Sequence, residues 1–432
     1  MASGVSVRSG ERDGLAFALM TGFVASLYIA PTEWLPMVAK LRLVLLASTV
    51  ATLCIVLRWL ARRREKLDLD GVRGISAVLL GLLALASIRW SVYPEASRFA
   101  SGEVLKLVVT YLTLVTVVTT PRRLLIVVAA IVLGSLVTSS GVIQWYRGGE
   151  GLVEGFRARW LGSYADPNRM AMSLEIVVPL GVAFLMHKGL PRLLRIAGGV
   201  AAVLAVVSIV ISFSRGGFFG LAVGMATWAL LERKRVQLLV VGLVFAAMLA
   251  FAPRSYWNRA QTVSSFQQDA SAMSRIHAWQ VTANISKARP LLGTGAGSFP
   301  YAWPLYAPPD AARAYAAHNV FIQMIAEYGF IGFFLLLALV GSASDGVWRA
   351  TRESETGWLA RGLAASLTGY LVCNLFAGFL ISPHLWVLLA LAAAADRIRR
   401  ARRAAAQAAS PIRQVSEDAM GRWLPAPAPE QR

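Results

Sequence analysis

A histidine stands where a polar stretch of the chain meets a long apolar run. It is His318 in "YAAHNVFIQMIAEYGF" (residues 315–330), and Asn319 follows it. An imidazole has a reference pKa of about 6.5, so it can accept a proton from a hydroxyl group near neutral pH. A lone histidine at a helix start is more often structural, but its position at the end of a long polar link favours a catalytic role.

Two arginines could hold an anion near such a base. Arg215 lies in "SFSRGGFFG" (212–220), where two glycines would let the backbone approach a ligand closely. An arginine near a helix N-terminus is unfavourable against the helix dipole unless an anion joins it. The alternative is an interfacial arginine that reaches towards lipid head groups. Arg275 lies in "SRIHAW" (274–279), together with His277.

A third polar segment, "RARWLGSYADPNRMA" (157–171), precedes an apolar run. Its Asp166 and Asn168 are candidates for contacting a substrate, but either could simply cap the next helix. Glu175 falls on the same helix face as Asn168, about 10 Å away. A carboxylate inside a membrane span is costly and suggests a function by default, although it could only orient an arginine.

Two further features of the long link and the helix after it suggest structure rather than chemistry. The three glycines of "ARPLLGTGAGSF" (288–299) follow no strand, so they are not a dinucleotide-binding motif and indicate a flexible turn. Glu327 lies beyond His318 on nearly the opposite face of the predicted helix, so we do not pair these two side chains.

The pattern of acidic residues does not indicate a metal site. The acids of the predicted outer links are scattered, and we find no acidic cluster, no histidine-rich metal spacing and no P-loop. Arginine stays charged and binds phosphate through two parallel hydrogen bonds, so it can replace a metal in neutralising a diphosphate leaving group. We therefore expect no metal and no cofactor.

The composition indicates where these residues lie. Of the 432 residues, 56% are hydrophobic and only 15% are charged, and the mean hydropathy is +0.58. Soluble proteins are usually about 45–50% apolar. We therefore predict an all-α polytopic membrane protein. The formal charge of +20 does not indicate nucleic-acid binding, because the basic clusters punctuate apolar spans and so set membrane topology.

We predict about twelve transmembrane spans, with both termini in the cytoplasm because the short basic links fall on one side. The approximate limits of the spans are 14–31, 41–60, 73–89, 104–120, 123–144, 169–187, 193–213, 216–231, 236–252, 318–340, 359–381 and 384–396.

These limits divide the chain into four parts. Residues 1–252 hold spans one to nine and a shorter outer link at 145–168, and residues 253–317 form a large outer link. Residues 318–396 hold the last three spans, and residues 397–432 form a basic tail that is expected to touch anionic lipid and then become disordered.

The large link contains a predicted amphipathic helix over residues 273–288, which would lie along the membrane interface. Ile276, Trp279, Ala283 and Ile285 can share its apolar side, with Arg275 off it.

Four of these segments, taken together, resemble the O-antigen ligase superfamily. They are "FSRGGFFGL" (213–221), "RIHAWQ" (275–280), "PLLGTGAGSF" (290–299) and "HNVFIQMIAEYGFIG" (318–332), in the order seen in that family. "GSYADPNRMA" (162–171) is also similar to a family motif. The resemblance covers roughly residues 155–340, and earlier residues match only in hydropathy.

The resemblance implies a fold and a reaction. The fold would be that of a GT-C-like glycosyltransferase with a large helical periplasmic loop between spans nine and ten, in the bacterial inner membrane. The enzyme would transfer a glycan from undecaprenyl diphosphate to lipid A–core, without a metal and with inversion. Arg215 and Arg275 would bind the diphosphate and His318 would act at the acceptor, with His277 as a competing base. Arg159 and Asn319 are weaker substrate-binding candidates.

Two alternatives stay open. Relatives in the superfamily use the same donor as O-antigen polymerases or as protein O-oligosaccharyltransferases. The second alternative is a transporter of lipid-linked glycans, but transporters usually bind their substrates near the membrane midplane. Here the candidate residues gather at one outer surface.

Overall fold

The computed structural model describes residues 14–35, 49–50, 52–53, 71–233, 270–309, 311 and 314–421. Within these ranges the regular structure is helical, with one isolated backbone bridge between Val153 and Arg157 and no strand. The predicted span 236–252 and most of 41–60 lie outside the described residues, as do residues 253–269 of the long link.

The described ranges contain fourteen α-helices, numbered here in chain order. They are α1 (Gly14–Ile29), α2 (Pro31–Trp34), α3 (Val72–Ser87), α4 (Pro94–Val117), α5 (Pro121–Gly148), α6 (Pro167–Glu175), α7 (Val177–Met186), α8 (Arg192–Ile211), α9 (Arg215–Glu232), α10 (Ala270–Ala288), α11 (Phe299–Tyr306), α12 (Val320–Ala350), α13 (Gly357–Ala377) and α14 (Pro383–Gly421).

Among the described residues, six helical segments are long and apolar enough to cross a membrane. They are Pro94–Val117, Pro121–Gly148, Pro167–Met186, Arg192–Ile211, Val320–Ala350 and Gly357–Phe376. The helices α1 and α3 are apolar but shorter. The chain is therefore an all-helical, multi-pass membrane protein, while the count of twelve spans and the sidedness of the termini remain predictions.

Three helices extend well beyond the predicted spans, and one of them, α12, ends at Ala350 rather than near residue 340. The helix α4 begins at Pro94 rather than near residue 104, because proline suits the first helical position, where its missing N–H has no partner to lose. The helix α14 runs on to Gly421, through residues that were expected to be disordered. Its continuation is rich in alanine, the strongest helix former.

The helices α9 and α13 approach so closely that their backbones touch. A Cβ atom on Gly220 would lie 2.7 Å from the carbonyl oxygen of Gly369, which leaves no space for a side chain. Small residues allow this kind of close helix contact inside membranes. The carboxylate of Glu175 from α6 packs into the same contact, against Gly224 and Gly369.

The helix α12 is broken at Gly329, whose backbone angles (φ 64°, ψ −167°) are essentially restricted to glycine. The segment before α11 pairs with the break. The N–H of Gly295 donates to the Glu327 carbonyl (2.9 Å), and the N–H of Phe330 donates to the Pro290 carbonyl (2.8 Å). The glycine-rich segment is therefore held in place rather than flexible, because the broken helix frees backbone groups that need partners.

One carboxylate ties α3 to α14 at the end of the bundle away from this break. Asp396 accepts hydrogen bonds from Arg73 (2.8 Å) and Arg399 (2.7 Å), and Arg400 lies 3.2 Å away. The side chains of Asp396, Arg73 and Arg399 are each at most 9% exposed. Two buried guanidinium groups thus share one counter-charge.

Replacing Asp396 by alanine should lower the free energy of unfolding by about 3–5 kcal/mol, because it leaves buried like charges facing each other. The matched control is Asp345→Ala, which removes an exposed pair with Arg349 (3.0 Å) on the same bundle and should cost about 0–1 kcal/mol. Unfolding of both purified variants in detergent measures the difference. Equal stabilities of the two variants would contradict the prediction.

Candidate active site

The last turn of α13 brings together the beginnings of two helices that carry candidate residues. At the start of α9, a Cβ atom on Gly216 would lie 3.0 Å from the Phe376 Cβ, and the Phe219 ring stacks on the Phe376 ring at 5.7 Å. At the start of α12, the Asn319 side-chain amide donates to the Leu375 carbonyl (3.2 Å). Arg215 and His318, the residues just before these contacts, therefore lie at the same end of α13.

The backbone holds His318 in an unusual conformation. Its φ of 49° is in the left-handed region, which non-glycine residues rarely adopt. The next residue, Asn319, caps α12 by accepting hydrogen bonds from the N–H groups of Phe321 (2.9 Å) and Ile322 (3.2 Å). The cap sets where the helix begins, and the strained residue before it turns the chain away from the helix.

Three predicted site residues are close enough to affect one another electrostatically. Burial lowers the pKa of the half-buried His318 below its ordinary value near 6.5, and the Arg275 guanidinium lowers the pKa further. The Asp166 carboxylate acts in the opposite direction. The long link, the segment before α6 and the start of α12 thus contribute to one site.

The helix α10 carries Arg275, and only part of its predicted apolar side packs against the protein. Ala278, Val281 and Ile285 are buried, whereas Trp279 is 50% exposed and Ala283 is also exposed. Ile285 therefore lies on the packed face with Ala278 and Val281, so the prediction that it shares a side with Trp279 and Ala283 was wrong. The position of α10 along the membrane interface stays a prediction.

The two candidate bases differ in access. His277, on α10, is 9% exposed, so little of its surface can meet a substrate. His318 is half-buried and lies beside a charged arginine. Access therefore favours His318 over His277 as the group that meets an acceptor hydroxyl.

Arg215 is the first residue of α9, and the residues around it form a hydrogen-bonded network. The cap Ser214 accepts from the N–H of Gly217 (3.2 Å) and donates through its hydroxyl to the Asn168 side-chain oxygen (3.0 Å). The same oxygen accepts from the guanidinium of Arg157 (2.8 Å). Asn168 thus joins the start of α6 to the start of α9.

Arg157 is a site-supporting residue that sequence reasoning missed. Its buried guanidinium also donates to the Ser212 carbonyl (3.0 Å), so it fixes the link before α6 against the junction between α8 and α9. The weaker candidate Arg159 instead donates to the Gly151 carbonyl (2.7 Å) within that link. Both arginines lie in "RARW", and only their tertiary contacts distinguish the role of Arg157 from that of Arg159.

Asp166 caps α6, which is the alternative to substrate contact that the sequence offered for this residue. Its carboxylate accepts from the N–H of Arg169 (2.8 Å). The guanidinium carbon of Arg169 lies 4.0 Å from the centre of the Phe379 ring, just beyond α13, which is a cation–π contact. Arg169 is thus a further cation near the site that the sequence did not single out.

Three helices therefore begin at this end of the bundle. The starts of α6 and α9 are joined through Asn168, and the starts of α9 and α12 both contact the end of α13. The beginning of a helix carries partial positive charge and exposed N–H donors. Together with Arg215 and Arg275, these helix starts favour binding of an anion such as a diphosphate.

The remaining acidic side chains of the described residues do not form a second site. Glu175 shares the predicted face of α6 with Asn168, but its carboxylate is fully buried between helices and makes no hydrogen bond among the described residues. Over the same part of the chain, no three His, Cys, Asp or Glu side chains come together as a metal site would require.

Comparison with known proteins identifies the central part of the chain. A family model described as O-antigen ligase matches residues 200–337, which include Arg215, Arg275 and His318. The resemblance predicted from the motifs is thus confirmed over these residues, while "GSYADPNRMA" lies before the match.

One curated relative is the exopolysaccharide production protein ExoQ of Rhizobium meliloti (strain 1021). It is 25% identical over 205 residues, which are 43% of this chain. These residues are 46% of ExoQ, so the match spans about half the length of the relative.

Replacing Asn168 by alanine should lower the free energy of unfolding by about 1–3 kcal/mol, because it removes an acceptor shared by the buried side chains of Arg157 and Ser214. The exposed Ser163→Ala in the preceding turn is the control and should have little effect. Thermal unfolding of the detergent-solubilised proteins measures the stability of both variants. If Asn168→Ala were as stable as Ser163→Ala, the junction at Asn168 would not be important for stability.

Proposed function

We propose that the protein is a glycosyltransferase of the O-antigen ligase type. It transfers a glycan from undecaprenyl diphosphate to a sugar hydroxyl of lipid A–core during lipopolysaccharide assembly. The observation that carries the proposal is geometric: the starts of α9 and α12, beside Arg215 and His318, both contact the last turn of α13, and Asn168 joins the start of α6 to that of α9. The family match over residues 200–337 supports the same reaction class.

The reaction assigns one task to each group. The donor's polyprenyl tail stays in the bilayer, and Arg215 and Arg275 bind its diphosphate. His318 accepts the proton of the acceptor hydroxyl, whose oxygen forms a bond to the anomeric carbon from the face opposite the diphosphate. The bond between the anomeric carbon and the diphosphate breaks, and its electron pair goes to the departing undecaprenyl diphosphate. The linkage is inverted, and fixed cations rather than a metal stabilise the developing charge.

The proposed membrane arrangement follows from the same assignment. The protein lies in the bacterial inner membrane, with its N- and C-termini in the cytoplasm and its site facing the periplasm. The cluster of arginines within α14, at residues 397–403, then faces the cytoplasmic leaflet, where it can contact anionic lipid. The described part of the long link, residues 270–309, covers the site from the periplasm, while residues 253–269 lie outside the described residues.

A second candidate differs only in the acceptor. The relative ExoQ is named for exopolysaccharide production, which favours an acceptor other than lipid A. The same site would then act as an O-antigen polymerase, joining the donor glycan to a growing chain, or as a protein O-oligosaccharyltransferase. Transport of a lipid-linked glycan is less well supported, because the arginines gather at one end of the bundle.

Reconstitution distinguishes these functions. Purified protein in vesicles receives undecaprenyl-diphosphate glycan and lipid A–core, with and without a chelator. We expect glycan on lipid A in both cases. Longer glycan on the polyprenyl carrier would favour polymerisation, and movement of the donor between leaflets without transfer would favour transport.

In this assay Arg215→Ala, Arg275→Ala and His318→Ala should each lower the rate of transfer by about 10²–10³-fold, because each removes a group that acts in the transition state. Arg349→Ala is the control, since this exposed arginine lies at the opposite end of α12. Full transfer by any of the three variants, at normal protein levels, would remove that residue from the mechanism.

The rate should also depend on pH in a defined direction. His318 must be neutral to accept a proton, so the rate should fall as the pH drops below the lowered pKa of His318, below about 6.5. Asp166→Asn keeps the helix cap but removes the charge that raises this pKa, so the acid limb of the pH–rate profile should move to lower pH. An unchanged or raised limb in Asp166→Asn would contradict the assignment of His318 as the base.

A further inference from the structure

A carboxylate that the proposed reaction does not use lies just before the break in α12. Glu327 is 1% exposed, and both of its oxygens are hydrogen-bonded. One accepts from the N–H of Gly297 (2.8 Å), and the other accepts from the side-chain amide of Gln323 (3.0 Å). We refer to Glu327, Gln323 and Gly297 as the clasp.

One side of the clasp is anchored to the membrane bundle through the glycine-rich segment. The hydroxyl of Ser97 on α4 donates to the Ala296 carbonyl (2.7 Å), and the N–H of Ala296 donates to the hydroxyl of Ser87 at the end of α3 (3.0 Å). A Cβ atom on Gly297 would lie 2.6 Å from the Ala100 side chain, so the contact is close. The segment is therefore fixed relative to α3 and α4.

The two sides of the clasp belong to the chain segments that adjoin Arg275 and His318. The glycine-rich segment directly follows α10, which carries Arg275. Residues 320–328 form the short helical part of α12 before Gly329, and they begin at the cap that follows His318. The clasp thus joins the element that carries the arginine to the element that carries the histidine.

We propose that Glu327 is a positioning residue, which fixes α10 against the first turns of α12 and so holds Arg275 beside His318. This inference rests on the proposed function, because it assigns a task to the residues of that site. Glu327 itself acts at a distance from the reacting groups.

A carboxylate suits this position for a physical reason. It accepts two hydrogen bonds at once, and hydrogen bonds to a charged acceptor are stronger than those between neutral groups. Glutamine could replace it, since its carbonyl oxygen can still accept from Gly297. Alanine could not, and it would remove the side-chain acceptor of the partly buried N–H of Gly297. Aspartate would keep the charge but lack the length to reach.

The test is the titration of His318 by NMR, which needs no substrate. The chain has only four histidines, so the full-length protein in lipid nanodiscs can be labelled at histidine and His318 assigned by its loss in His318→Ala. Two charged groups act on His318, namely Arg275 on α10 and Asp166 at the start of α6. Of these two, Arg275 lies on the helix that leads into the clasp.

In Glu327→Ala the titration midpoint of His318 should rise by about 0.5–1 pH unit, as Arg275 moves away and water enters. Glu327→Asp should shift the midpoint in the same direction, and it keeps the inference testable if Glu327→Ala does not fold. Glu327→Gln should stay close to the wild type, and Arg349→Ala at the far end of α12 should cause no shift.

The kinetic effect should agree with the titration. Loss of the clasp should lower kcat/KM for glycan transfer by about 10–100-fold through misplacement of the site residues. An unchanged His318 midpoint in folded Glu327→Ala or Glu327→Asp would overturn the inference. A different result, full transfer by His318→Ala, would contradict the proposed function. The titration of His318 would still report on the clasp in that case.

Discussion

The arrangement of the site depends on one constraint, namely that the first N–H groups of a helix have no partner within the helix. Near an apolar membrane core, water cannot satisfy all of them. Asp166, Ser214 and Asn319 cap α6, α9 and α12. A cap must come from the residue just before its helix, so the adjoining functional residues are held at the same positions. Ser214 precedes Arg215, and Asn319 follows His318.

Capping alone leaves these helices separate, and two other contacts bring them together. Asn168 serves both α6 and α9 by accepting hydrogen bonds from Arg157 and Ser214. Glycines let α9 lie directly on α13, whose last turn also receives Asn319. The consequence is an accumulation of positive charge from helix starts and arginines. Such an accumulation is unfavourable by itself and becomes favourable when a polyanion is bound, as expected for a diphosphate donor.

The part of the site that contains Arg275 and His318 is formed by two segments that are far apart in sequence. The helix α10 carries Arg275, whose charge acts on His318, and the first part of α12 begins just after His318, at the cap Asn319. Their mutual position is set at the opposite end of both segments, where Glu327 holds the glycine-rich turn and Gly329 allows the chain to bend. A carboxylate inside an apolar helix is costly unless it is hydrogen-bonded. Glu327 meets that condition, which explains how the helix can contain it.

The sequence by itself determined the all-helical, membrane-embedded character of the protein, because runs of apolar residues and the placement of arginine depend only on local composition. It also identified Arg215, Arg275 and His318 as candidates, since unusual charges beside apolar runs are visible in one dimension. The roles of Arg157, Glu327 and the three glycines near residue 295 were decided by the tertiary structure alone. Their partners, Asn168, Gly297 and the broken backbone of α12, are brought to them by packing, and the chain order does not encode which buried polar groups will meet. The exposed Trp279 on α10 has the same explanation, because the face of a helix that becomes buried depends on the shape of the neighbouring helices.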